Sequence, residues 1–155
     1  MPTEEELNNM SPEEIVELQK QNCIFCNIIK DEIPGKKVYE DDDFKAVLDK
    51  NPGNKGHVLL LPKEHYQVMP LMPPELGGKV GVACKKVSNL VLKATGAKAT
   101  SLYVSNGGAA GQNAPHSMIH IIPRFENDSI KLNPVWKEDV KHKEYKDKIK
   151  KALSQ

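Results

Sequence analysis

The chain has 155 residues, of which 39% are hydrophobic and 28% charged, with 22 Lys+Arg against 21 Asp+Glu. That is the size and balance of one globular domain with a core of its own. A charge balance this even excludes a general polyanion-binding surface, and no apolar run is long enough to span a bilayer, so neither nucleic acid nor membrane is an expected partner.

In chain order, the start (Met1-Pro2-Thr3-Glu4-Glu5-Glu6) is acidic and polar, unlike a secretory or transit leader, and a cytoplasmic location is expected. Ser11-Pro12-Glu13-Glu14 carries a capping-box pattern, with Ser as N-cap, Pro at the first helical position and Glu14 three residues after the cap. It predicts a helix to about Gln21. From Cys23 to Lys30, the residues Ile24, Phe25, Ile28 and Ile29 fall at helical spacing until Ile33-Pro34-Gly35 breaks the pattern. Lys37 to Glu40 and Phe44 to Asp49 read as strands around the acidic turn Asp41-Asp42-Asp43, and Asn51-Pro52-Gly53-Asn54 as a loop. The unbroken run Val58-Leu59-Leu60-Leu61, closed by Pro62, suits a strand buried on both faces.

Pro73-Pro74-Glu75 opens a long helix carrying Leu76, Val80, Val82, Ala83, Val87, Leu90 and Val91, ending near Gly96. Leu102 to Val104 is a predicted strand, Asn106 to Gln112 a glycine-rich loop, and Met118 to Ile122 the last strand. From about Val140 a Lys-rich tail with helical character reads as a solvated face. There is no internal repeat. The order of elements is an α+β meander, in which an antiparallel sheet carries the long helix on one face.

Three cysteines without a leader argue against a disulfide framework, and Cys84, inside the long helix, reads as a buried inert thiol. Cys23 and Cys26 have zinc-chelating spacing, which is also that of a redox pair; the βαβ context expected of the latter is missing. Two further metal ligands would come from His57, His65, His116, His120 or His142, with His65 and His116 each placed at a strand end. On a helix, His116 and His120 share a face at i, i+4. On a strand, His116, Met118 and His120 share one, and the flanking prolines and isoleucines favour the strand. Such histidines are ordinarily just half-buried strand residues. The loop Asn106-Gly-Gly-Ala-Ala-Gly-Gln112 feeding this strand shifts the balance, because glycines let backbone N–H groups approach an anion.

Cys23-Ile-Phe-Cys-Asn-Ile-Ile-Lys-Asp-Glu-Ile-Pro34, Val38-Tyr-Glu-Asp41, Leu48-Asp49, Gly56-His57 through His65, and Gly111-Gln112 through Pro123-Arg124 together resemble the histidine triad family of nucleotide hydrolases and transferases, in family order over about residues 22–125. The resemblance implies a homodimer with a continuous sheet. It implies an N-terminal extension with a short helix (1–21), a nucleotide-binding domain (22–125) and a partly helical tail (126–155). It further implies a structural zinc ion on Cys23, Cys26, His65 and His116. A purine nucleotide of AMP or GMP type would have its ribose at Asp49, its base among Ile24, Phe25, Ile28 and Val47, its phosphate at Gly111, Gln112 and Asn113, and His57 and His120 flanking the reacting phosphorus.

Two departures follow. Met118 occupies the place of the family's attacking histidine, and a thioether is a poor nucleophile toward phosphorus. Ser105 stands where the family places a phosphate-contacting asparagine, with Asn106 expected to face the other way; Ala114-Pro115 also replaces the usual apolar-aromatic pair. The expected function is nucleotide binding with impaired or altered nucleotidyl chemistry. The alternatives are direct hydrolysis with His57 or His120 as general base, and a dimeric interaction module with a vestigial pocket.

Overall fold

The computed structural model describes residues 9–131 and 142–154. Helix α1 (Pro12–Gln21) starts with the capping box read from the sequence: Ser11 Oγ accepts the Glu14 N–H at 3.2 Å, and the Glu14 carboxylate accepts the Ser11 N–H at 2.7 Å. A short helix α2 (Ile24–Ile29) follows, then strands β1 (Lys37–Glu40), β2 (Phe44–Leu48) and β3 (Val58–Pro62). The long helix α3 (Pro74–Thr95) leads into β4 (Ala99–Tyr103) and β5 (Ile119–Arg124), and α4 spans His142–Leu153. The five strands form one antiparallel sheet in the order β1-β2-β3-β5-β4, so the fold is α+β with one long helix on the sheet.

Side-chain alternation divides the sheet between two apolar layers. Phe44, Ala46, Val58, Leu60, Ile119 and Ile121 pack with Val80, Ala83, Cys84, Val87 and Val91 of α3. On the opposite face Val47, Leu59 and Leu61 pack with Phe25, Ile28 and Ile29 of α2 and with Met118. The continuous apolar run of β3 is therefore buried on both sides, as its composition requires. Helix α3 ends where Gly96 takes a left-handed conformation (φ 69°) and returns its N–H to Leu92 O. Gly56 also has positive φ, and a Cβ there would meet Thr95 Cγ2 at 2.5 Å, so the loop entering β3 packs against the end of α3 only with glycine at this position.

The last two strands begin and end differently from the sequence expectation. β4 is Ala99–Tyr103 rather than Leu102 to Val104, because it pairs along its full length with β5, from Ala99 opposite Arg124 to Tyr103 opposite His120. β5 runs past Pro123 to Arg124. Its pairing with β3 has already ended at Ile121, which opens one side of the strand where Pro123 lacks a donor. At its other end the strand begins at Ile119, opposite Leu60 of β3, so Met118 lies just before it. Among the described residues, no helix is long and apolar enough to cross a membrane.

Candidate functional site

Two clusters of chemistry-bearing side chains lie on the α2 side of the sheet. Cys23 caps α2 and Cys26 sits one turn on, at the i, i+3 spacing that puts two side chains on one helix face. His65 arrives just after β3 and His116 just before β5. Cys26 Sγ is 3.2 Å from His65 Nδ1 and 3.6 Å from His116 Nδ1, and Cys23 Sγ is 3.6 Å from His116 Nδ1. All four donor atoms lie within 4.8 Å of one another.

His116 Nε2–H donates to Pro62 O at 3.0 Å, which leaves the Nδ1 lone pair facing the thiols. Burial pushes His116 down to about 4, so the ring is neutral at physiological pH. Burial and the neighbouring Cys23 push the Cys26 thiol up to about 12. Two soft sulfurs and two neutral imidazole nitrogens are the donor set of a tetrahedral zinc site, in which Zn–N and Zn–S bonds imply donor separations of roughly 3.3–3.8 Å. The residues fit such an ion, and all three cysteines are free thiols.

Beside this cluster lies a cleft of about 390 Å³. Phe25, Leu59 and Met118 give it an apolar floor, and Asp49 and Asn51 stand at one end. Ser105, Gly111, Gln112, Asn113 and Ala114 form its loop wall, with His120 and Tyr103 beside them. No lysine or arginine is among these lining residues. The loop is stapled by Gln112, whose Oε1 accepts the Gly107 N–H at 2.6 Å and whose Nε2 donates to Gln67 O at 2.6 Å and Ala114 O at 2.8 Å. Gly107 (φ 93°) and Gly111 (φ 83°) provide the two positive-φ corners that turn it. Ser105 Oγ lies 2.8 Å from both Tyr103 Oη and Ala110 O. Asn106 faces away and accepts the Met69 N–H at 3.0 Å.

His57 and His120 meet behind the cleft wall, with Nε2 of the first 3.0 Å from Nδ1 of the second. Gly53 N–H donates to His57 Nδ1 at 3.0 Å, and Asp49 Oδ2 is 3.5 Å from the same nitrogen. Burial lowers the pKa of both rings, outweighing the opposing pull of Asp49, so both are neutral at pH 7.

The structure thus brings Phe25, Asp49, Ser105, Gly111, Gln112, Asn113, Met118 and His120 into one cleft. It places the other candidates elsewhere. Ile24 is 52% exposed, because α2 turns Phe25 and Ile28 toward the sheet and its neighbour outward. Ile28 and Val47 lie in the packed layer on this face, away from the lining. His57 lies behind His120. Tyr103 was missed, although it precedes Ser105 by two and so shares its side of an extended chain; its ring centroid is 5.7 Å from that of His120.

The pattern of the HIT domain matches residues 30–127. The chain belongs to the HIT domain family. Over 114 residues it is 46% identical to an adenylylsulfatase of Arabidopsis thaliana; that stretch is 72% of this chain and 56% of the plant protein. The chain thus spans little more than half the length of that relative. It is 36% identical over 115 residues to an adenosine 5'-monophosphoramidase of Schizosaccharomyces pombe, covering 74% of this chain and 83% of the other. A crystal structure from Streptococcus mutans superposes with a TM-score of 0.80 at 32% identity, covering 85% of each chain. A zinc-bound histidine triad protein of Mycobacterium smegmatis gives a TM-score of 0.69 at 26% identity, covering 88% and 96%.

Proposed function

We propose that this HIT protein binds a purine nucleotide of AMP type in the cleft and that its covalent nucleotidyl chemistry is impaired because Met118 occupies the position of the attacking histidine. One observation carries the reading: Met118 lines the same cleft as Asp49 and His120. A thioether has no proton to lose and forms no stable bond to phosphorus, so the covalent route is closed while the cleft remains shaped for a ligand. Asp49 faces the ribose hydroxyls, and the glycine-rich loop with Ser105 faces the phosphate. The relatives named as an adenylylsulfatase and an adenosine 5'-monophosphoramidase support an adenosine nucleotide.

Calorimetric titration with AMP tests this. Saturable binding is expected, weakened tenfold or more in Asp49→Ala; no binding to the intact protein would leave only an interaction module with a vestigial pocket.

The retained His57–His120 pair favours slow direct hydrolysis as a second reading. A water oxygen bonds to phosphorus as the P–N bond of a phosphoramidate breaks. The departing nitrogen takes the His120 proton, and the water returns one to the imidazole, so the ring ends as it began.

Cys23, Cys26, His65 and His116 would hold zinc with no open position, and the ion would supply a cross-link between α2 and the sheet, not catalysis. The zinc-bound mycobacterial relative supports this assignment. We place the protein in the cytoplasm, where such thiols stay reduced. A homodimer with a continuous sheet is proposed through β4, an edge strand that leaves Leu102 exposed beside an open groove along Gly77 and Gly81 of α3. Residues 22–125 would form the nucleotide-binding unit, with 1–21 and 126–155 as additions.

A further inference from the structure

We infer that His57 is a positioning residue that holds His120 as a hydrogen-bond donor toward the cleft, with the backbone N–H of Gly53 setting the direction of the chain. A backbone N–H only donates, so His57 Nδ1, 3.0 Å from the Gly53 nitrogen, must present its lone pair. A neutral imidazole then carries its one proton on Nε2. That nitrogen is 3.0 Å from His120 Nδ1, which therefore accepts. The His120 proton is left on Nε2, the nitrogen free to meet a ligand in the cleft that His120 lines.

The opposite direction requires a proton on His57 Nδ1, given to Asp49. That contact is 3.5 Å, longer than an ordinary N–H···O bond, and it would strip the Gly53 N–H of its acceptor. Asp49 is also engaged through its other oxygen, which accepts the Asn51 N–H at 2.9 Å.

The loop is built to keep this arrangement. His57 N–H donates to Asn54 O at 3.0 Å, and Asp49 N–H donates to His57 O at 2.9 Å, so both ends of the loop are pinned to His57. His57 itself is buried, 5% exposed. Asp49, His57 and His120 also bring donor atoms within 4.8 Å of one another, but a metal there would have to displace the bond between the two rings.

In the resting protein His120 is thus poised to give a proton to an anionic oxygen or a leaving atom before it can take one from water. Only this consequence rests on reading the cleft as a phosphate site; the direction of the chain does not.

Long-range proton–nitrogen spectra of the ¹⁵N-labelled protein above pH 7, free of nucleotide, test it. The expected result is a proton on Nε2 and a bare Nδ1 for both His57 and His120. A proton on Nδ1 of either ring would overturn the proposal. His57→Gln, which keeps a donor to His120, is expected to preserve the His120 tautomer, whereas His57→Leu gives a mixture; an unchanged His120 spectrum in His57→Leu would remove His57 from the role. If His57→Leu fails to fold, the spectrum of the unmutated protein decides alone. Because the readout is taken without ligand, failure to bind AMP would sink the nucleotide reading and leave this test intact.

Discussion

Met118 and His120 enter one cleft while His116, two residues earlier, enters the cysteine cluster, and the odd-numbered Ile119 and Ile121 face α3. One short run of alternating side chains thus serves two sites and a core. The cost of changing any of these residues depends on which compartment it occupies. Lys45 shows the same point from the opposite direction. A lysine in a strand reads as solvent-facing, yet this one is 1% exposed. Its Nζ donates to Ile28 O at 3.1 Å, Ile29 O at 3.0 Å and Asp31 Oδ1 at 2.6 Å, which places a cation on the carboxyl end of α2. Lys45→Ala removes the partner of two carbonyls and leaves a gap under α2. We expect a loss of about 2–3 kcal/mol in urea unfolding, since bonds to charged groups are worth that much; a change within experimental error would show that α2 does not depend on this cap.

At the level of elements, α1 and α3 were legible because their end signals are local: the Ser11–Glu14 box and the glycine at 96 act within a turn. β3 was legible from its composition. The limits of β4 and β5 were not, because they depend on pairing across sixteen or more residues, and nothing near Leu102 marks where the register with β5 begins. The rotation of α2, which turns Ile24 outward and Phe25 into the cleft, is set by docking on the sheet and by Cys26, and periodicity leaves it open. The cleft itself was largely readable from motif positions; Tyr103, Leu59 and the staple made by Gln112 were not, since each acts through cross-strand or loop geometry.

The six residues of α2 are too few to hold a helix in isolation. Its anchors are the packed layer, Lys45 and the Cys–His cluster. Stripping metal with a strong chelator should therefore lower the melting temperature by several degrees and make Cys23 and Cys26 reactive to a thiol reagent, while Cys84 stays protected between α3 and the sheet. Unchanged melting and unreactive thiols would refute the cross-link.

On the scale of the whole molecule, α3 and the sheet form a scaffold whose other face carries both the cysteine–histidine cluster and the cleft. The cysteine–histidine cluster and the cleft share β3, α2 and the segment entering β5. A ligand in the cleft would therefore rest on walls that the cysteine cluster helps to hold. The matched HIT pattern spans residues 30–127, which takes in β3, β5 and most of the cleft lining and leaves α1, α2 with Cys23 and Cys26, and α4 outside it. In α4, Tyr145, Ile149 and Leu153 stand exposed at four-residue intervals.

The most direct measurement is release of AMP from an adenosine 5'-phosphoramidate by the unmutated protein and by Met118→His, with AMP affinity measured on both. Slow release is expected from the first and a gain of roughly tenfold or more from the second, equivalent to at least about 1.4 kcal/mol of barrier, at similar affinity. Fast turnover with Met118 in place, or no gain in a Met118→His protein that binds AMP normally, would contradict the proposed role of Met118.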